Sequence, residues 1–157
     1  MKITKEDFDI LSVEDELRAD ALCRDLLMEF YNDLTKTLPE AEATAIANSA
    51  DYFLRDFVIG MMQKNFLDKD LNLVRQFAGN WYIVNRIEPA MEELSSLLSG
   101  IMEFYSFLHS AGFIDDEFFS KIKKECSDVE FYSSRIESFW NIKEDGYYEW
   151  ERECSLK

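Results

Sequence analysis

The sequence predicts an all-α protein: a single-domain helical array or bundle of five to seven helices with a short aromatic C-terminal tail. Three observations carry this. Apolar residues recur with a period of 3.6 through most of the chain. Only five glycines and two prolines occur in 157 residues, too few for many tight hairpins. Hydrophobic residues make up 47% and aromatics 15%, so a chain of this length can bury a core without a disulfide or a metal.

Residues 1–12 read as a leader, without the apolar stretch of a signal peptide. Ser12 and Asp15 resemble a capping box with Asp in place of Glu, which starts a helix over Val13 to Leu34. Its apolar face is expected to hold Leu17, Ala21, Leu27, Tyr31 and Leu34, widened by Leu26 and Phe30. Thr37, Pro39 and Glu40 then restart the chain: Thr37 as the cap, Pro39 in a first turn that needs no amide hydrogen. The second helix is predicted from Pro39 to Phe66. Ala43, Ala47 and Ala50 admit a close neighbour, and Phe53 to Met62 supply bulk. Gly60 inside that run is a weak point.

Asp68-Lys69-Asp70 is expected to open a third helix through Ala78. Gly79 to Glu88 is the ambiguous stretch: Trp81 to Val84 within it has β-type composition but no strand of equal quality to pair with, leaving two readings. It is an extended buried connection, or it continues helix three. Glu88-Pro89 starts a fourth helix with the stripe Met91, Leu94, Leu98, Ile101, Met102, Tyr105 and Leu108, ending at Gly112. Asp115 is predicted to cap a fifth helix to Cys126, and Asp128 a sixth to Trp140. In the tail, 141–157, Asp145-Gly146 is a hairpin signal. The preferred alternative is an irregular aromatic tail packed back on the bundle. One internal echo exists: Leu27-Met28-Glu29-Phe30-Tyr31 against Ile101-Met102-Glu103-Phe104-Tyr105.

The chain carries 32 acidic and 17 basic residues, a net charge of −15. The acid is even, with 16 acidic residues in 1–80 and 16 in 81–157. A phosphate backbone needs clustered Lys and Arg, so nucleic acid is not an expected partner. No apolar run is long enough to span a membrane. Cys23, Cys126 and Cys154 are odd in number and far apart, which fits a reducing cytoplasm.

Candidate chemistry is sparse. A carboxylate-bridged di-iron bundle needs two Glu-x-x-His pairs, and the one histidine, His109, follows Ser106. Asp68-x-Asp70-x-Asn72 opens like a calcium loop, but Leu73 and Gly79 stand where Gly and Glu are required. No P-loop, Gly-x-Ser-x-Gly elbow or zinc-type Cys-x-x-Cys pair occurs. No catalytic residue, metal or cofactor is therefore predicted. An acidic helical domain with a lone histidine resembles histidine phosphotransfer modules in architecture. In those modules a Lys and then a Gly follow the histidine, whereas Ser110-Ala111-Gly112-Phe113 follow here. The stretch Phe104 to Ile114 is loosely similar to the helical core-binding segment of tyrosine recombinases. The recombinase catalytic residues are missing, and the charge has the wrong sign for DNA.

What stands out is the aromatic load, twenty-three rings in one small protein. Phe104, Tyr105, Phe107 and Leu108 span more than one helix face, and Trp140, Tyr147, Tyr148 and Trp150 sit among acids in the tail; Phe104, Phe107, His109 and these four tail aromatics are the candidate partner-binding residues. Apolar anchors ringed by acid suit a basic, amphipathic protein or peptide. The leading expectation is a non-enzymatic cytoplasmic binding, adaptor or chaperone-like protein using these seven residues. The alternatives are phosphotransfer or a small enzymatic activity through His109, and a homo-oligomer that covers its own aromatics.

Overall fold

The computed structural model describes residues 3–154. Residues 1–2 of the expected leader and 155–157 of the expected tail lie outside the described residues. Seven helical rods and no strand are present among the described residues, and none of the helices is long and apolar enough to cross a membrane. One cluster of buried apolar side chains runs through all of the rods.

The chain enters through a 3-10 turn, Lys5–Phe8, and this segment is part of the core. Phe8 is buried against Phe66, with ring centroids 4.6 Å apart. Asn65 fixes it in place by donating to the Lys5 carbonyl and to Asp9 Oδ1, both at 2.8 Å. Helix α1 is Val13–Leu34. Ser12 Oγ accepts from the Asp15 amide, and Asp15 Oδ2 accepts from the Leu11 amide, so two otherwise orphaned N–H groups are satisfied. The buried face holds Ala19, Cys23, Leu26, Leu27, Phe30 and Leu34. Leu17, expected on that face, is exposed at 67%. The core already meets the helix at Ala19, and at about 100° per residue Leu17 lies on the other side of the rod from the buried face Ala19, Cys23, Leu26 and Phe30.

Helix α2, Glu40–Asp51, starts at Pro39, whose extended conformation fills the cap position. Thr37 makes no capping bond there, contrary to expectation. The rod continues as a π-helical segment, Tyr52–Met61. It stops short of the predicted Phe66, because Gln63 takes φ +52 and turns the chain. Gly60 has a steric reason: a Cβ there would lie 2.8 Å from the Arg55 carbonyl oxygen, which the wide turn brings inward.

Asp68 to Asp70 form a turn rather than a helix start, with the Asp70 amide donating to Asp68 Oδ1 at 3.0 Å. Lys121 Nζ reaches the Lys69 and Leu71 carbonyls at 2.6 and 2.7 Å. The third rod begins later, as α3 (Leu73–Gln76), passes through a second π segment (Phe77–Trp81) and ends as α4 (Tyr82–Val84). The β-type stretch Trp81 to Val84 is thus helical, the second of its two readings.

Helix α5, Met91–Ser110, is the central rod. It lies against α2 where Gly100 removes the barrier: a Cβ at Gly100 would stand 2.5 Å from Ser49 Cβ and 2.9 Å from the Ile46 carbonyl oxygen. Gly112, with φ +82, ends it, and the Phe113 amide closes back on the Leu108 carbonyl at 2.9 Å. The echoed residues Phe30 and Phe104 touch edge to face at 5.4 Å.

Helix α6, Asp116–Ser127, is capped by Asp115, which accepts from the Phe118 amide at 2.8 Å. Asp128, in contrast, makes no capping bond to α7, Val129–Trp140. The described part of the tail is not a hairpin; it packs back on the bundle as expected, irregular except for its middle. That middle forms a short helix, α8, Tyr147–Arg152. Buried tyrosine hydroxyls are satisfied: Tyr105 donates to the Phe66 carbonyl at 2.7 Å and Tyr132 to the Glu125 carbonyl at 2.6 Å.

Candidate functional site: an aromatic edge and an adjoining cleft

The C-terminal aromatics form a chain of rings joining α7 to α8. Trp140 lies 6.1 Å from Phe139, Phe139 lies 5.1 Å from Trp150, Trp150 lies 6.2 Å from Tyr147, and Tyr147 lies 5.8 Å from Tyr148. The ends of the chain are open and its middle is closed. Trp140 is 57% exposed and Tyr148 71%, whereas Trp150 is 3% exposed. In sequence these rings alternate with Glu144, Asp145, Glu149, Glu151 and Glu153, against Lys143 and Arg152.

Trp150 is an anchor of the tail and offers no ring to a partner, which corrects its place among the expected binding residues. Its indole N–H donates to the Arg135 carbonyl at 3.1 Å and to Ser138 Oγ at 3.0 Å. The Arg135 guanidinium lies 3.8 Å over the Trp150 ring, donates from Nε to the Gly79 carbonyl at 2.8 Å, and is only 2% exposed. Burial is the leading influence on Arg135 and lowers its pKa below the ordinary arginine value. Cys154 follows, its Sγ 3.4 Å from the Arg75 carbonyl. It packs where Gly79 leaves room: a Cβ at Gly79 would be 2.6 Å from that sulfur. The tail is therefore bolted to the second π segment by a buried cation, a thiol and a glycine.

The other sequence candidates separate. Phe104 is fully buried among Phe30, Phe66 and Tyr105, so it too is withdrawn as a binding residue. Phe107 is half-buried against Phe30 at 5.5 Å. His109 stands in the last turn of α5, its Nε2 2.6 Å from Asp116 Oδ1 and its ring stacked 4.8 Å from Phe119. It thus joins α5 to α6, away from the tail aromatics. Among the described residues, no group of three His, Cys, Asp or Glu side chains is placed to hold a metal ion.

Beside the aromatic edge lies a cleft of about 400 Å³ that the sequence did not announce. Both π segments line it: Phe57 and Met61 come from the second rod with Met62 at its end, and Gln76, Asn80 and Trp81 from the third. Tyr147 and Glu151 of α8 close one side. Trp81 and Phe57 meet at 5.3 Å with their rings tilted by 47° and make an aromatic wall. Three buried polar atoms here have no partner: Gln76 Oε1, Asn80 Oδ1 and Trp81 Nε1. Asn80 is itself 4% exposed. Each such orphan costs about 1–3 kcal/mol. The only other unpartnered buried side-chain atom among the described residues is Arg135 Nη2. Glu151 is the one charged residue of the lining, and no Cys, His, Ser, Lys or Arg is present there. The cleft therefore combines an aromatic wall, amide side chains and one carboxylate, and the three orphaned atoms of its lining residues are closed off from solvent.

A second groove of about 370 Å³ runs along α1 and α2 past Leu27, Met28, Tyr31 and Ala47. Arg24 and Arg55 flank it, and Arg55 is held by Asp20 at 2.9 Å and Asp51 at 3.1 Å. The Asp20 hydrogen bond is the leading cause that raises Arg55 above the ordinary arginine value.

Comparison with family models, with curated proteins and with solved structures gave no match to this chain. Its function is therefore argued from the geometry above.

Proposed function

We propose that the protein is a non-enzymatic binding module of the cytoplasm that docks a cationic, amphipathic segment of a partner protein on its C-terminal edge. The observation that carries this reading is the chain of five rings whose two ends, Trp140 and Tyr148, are open to solvent, in a stretch whose sequence carries five carboxylates. Exposed Trp and Tyr are the side chains that most often anchor an interface. The net charge of −15 draws basic partners and repels acidic ones. A basic helix with one apolar face satisfies both demands, covering the rings while its lysines meet Glu144, Asp145 and Glu149. The three free thiols, all buried, support the compartment.

A dye-labelled helical peptide of lysine and leucine tests this by fluorescence anisotropy. Binding is expected at low salt, with affinity falling as salt rises from about 50 to about 500 mM. Replacing Trp140 and Tyr148 together by Ser is expected to weaken it by at least about tenfold, because both anchors are removed. Equal binding by the double variant would place the peptide elsewhere and defeat the proposal.

A further inference from the structure

We infer that the exposed face of α1 pairs with the same face of a second copy of this chain, the two helices running antiparallel about a two-fold axis beside Leu22. This face is separate from the C-terminal edge, and none of its residues lines the cleft there. At about 100° per residue, Val13, Leu17, Ala21, Arg24, Met28 and Tyr31 fall within about 80° of one another, turned away from the buried face of the rod. Val13, Leu17 and Met28 are each at least 60% exposed. Apolar side chains scattered singly on a surface need no partner, whereas a contiguous stripe marks an interaction surface. Beside this stripe runs the groove of about 370 Å³ between α1 and α2, whose lining includes Leu27, Met28 and Tyr31.

The order of residues along the helix names the occupant. Val13 and Tyr31, Leu17 and Met28, Arg18 and Asp25, and Asp20 and Arg24 form pairs, each centred within half a residue of position 22. A two-fold axis there sets each member of a pair opposite the other member in the second copy. Val13 and Leu17 of one copy then enter the groove of the other at Tyr31 and Met28, and the symmetry repeats the contact. Arg18, which its own Asp15 holds at 3.0 Å, meets Asp25 on one flank, and Arg24 meets Asp20 on the other. Asp25 is exposed, and the contact of Arg24 with Asp20 of its own chain is a long one, 3.8 Å. Ala21, beside the axis, lets the rods approach closely. Between Leu17 and Met28 the chain carries two basic and two acidic residues, so the centre of this face is neutral although the protein bears −15. A cationic segment of the kind drawn to the C-terminal edge would meet Arg18 and Arg24 here, whereas a second copy matches them. Glu14 and Glu29 fall near each other at the two ends of the pairing. Salt that screens them and the net charge is therefore expected to tighten the dimer, opposite to its effect on peptide docking.

Sedimentation velocity of the full chain from about 10 μM to about 1 mM, the weak range of specific association, tests the pairing. A reversible dimer is expected, tighter at about 500 mM than at about 50 mM salt. Leu17→Glu combined with Met28→Glu changes two exposed positions and leaves the core intact. It is expected to weaken association by at least about thirtyfold with unchanged far-UV circular dichroism. Asp25→Arg is expected to weaken it about tenfold although it lowers the net charge, because the new arginine faces Arg18 of the other copy. For the register, Leu17→Cys and Met28→Cys proteins are mixed and treated with a short bis-maleimide, the native thiols being buried. A cross-link between the two variants is expected in the mixture. Either variant alone should give little, since its two new thiols stand about 15–18 Å apart along the helices. A monomer throughout the concentration range, or a dimer that the Leu17 and Met28 double variant retains, overturns the inference. So does a tighter dimer in Asp25→Arg, or cross-linking of Leu17→Cys to itself as readily as to Met28→Cys.

Discussion

Substituting Gly79 by Ala should have opposite signs in two backgrounds, and the structure gives the reason. Gly79 lies inside a helical rod, where Ala is intrinsically favoured by about 1 kcal/mol. Its missing Cβ, however, is the space into which Cys154 packs: the added carbon would sit 2.6 Å from Sγ, about an ångström inside a normal contact. The next neighbours, Phe131 Cε2 at 3.4 Å and Tyr132 Cδ1 at 3.6 Å, leave room for it. With Cys154 present, relieving the clash moves the tail and loosens the Arg135 bond to the Gly79 carbonyl, an overpacking cost of about 1–3 kcal/mol. Net of propensity, Gly79→Ala should destabilise the wild-type chain by about 1–2 kcal/mol. In a Cys154→Ala background the sulfur is gone, and the same change should stabilise by about 0.5–1 kcal/mol. The coupling in this double-mutant cycle is then about 2 kcal/mol, well beyond the additivity error of about 0.5 kcal/mol. Urea unfolding of the four proteins, followed by far-UV circular dichroism and tryptophan fluorescence, measures it. Equal effects of Gly79→Ala in both backgrounds would show that the thiol does not fill the glycine's space.

Three other outcomes follow from the same contacts. Arg135→Ala should cost about 3 kcal/mol in urea unfolding, because Gly79 loses its donor and Trp150 loses the cation above its ring, whereas a surface arginine such as Arg152 should cost less than about 0.5 kcal/mol. Asp15 is held below the ordinary carboxylate value first by the Leu11 amide and then by Arg18. Its folded pKa is depressed, so its contribution is present above the unfolded value of 3.8 and fades as pH falls through the folded one. A scan of Tm against pH should therefore show Asp15→Asn converging with wild type at the acid end and lying below it near neutrality. Burial pushes Cys126 up to about 12 and raises Cys23 and Cys154 as well, so a disulfide reagent should modify the native protein slowly at neutral pH. All three thiols should react at once in denaturant, and Cys154, in the turn after α8, should be the first to react without it.

What could be read from the sequence was whatever is written within a few residues. Ser12 with Asp15, Asp115 three residues before Phe118, and Gly112 after a long apolar stripe each state a helix end chemically, and α1, α5 and α6 follow them. Thr37 and Asp128 state one too, yet neither makes its cap bond: Pro39 takes the first position, and Asp128 holds a conformation from which its carboxylate caps no amide. The π segments escape sequence reading because Tyr52–Met61 is apolar on almost every side, so its sequence carries no face whose period could show the wider turn. Trp81 to Val84 contradicts its own propensity, since Tyr52 and Phe57 hold Trp81 from the neighbouring rod at 5.4 and 5.3 Å. Depth was equally invisible. Nothing local separates Phe104, at the centre, from Phe107, near the surface, or Trp150 from Trp140. The cleft left one trace that a closer reading of the pattern could have used: Asn80, a polar residue inside the apolar run Phe77 to Val84.

The attachment of α8 has a thermodynamic side. The helix that supplies Tyr147 and Glu151 to the cleft is the one held down by Trp150, Arg135 and Cys154. Whatever touches those two residues binds the docked helix and not the released one. Occupancy and tail docking are then linked quantities: a ligand at a hundred times its dissociation constant protects the docked state by about 2.7 kcal/mol. Read in reverse, the C-terminus is a gauge of the cleft. Its rate of proteolysis or amide exchange reports occupancy at a distance, and shortening the chain before Tyr147 would abolish binding without altering a residue of either π turn.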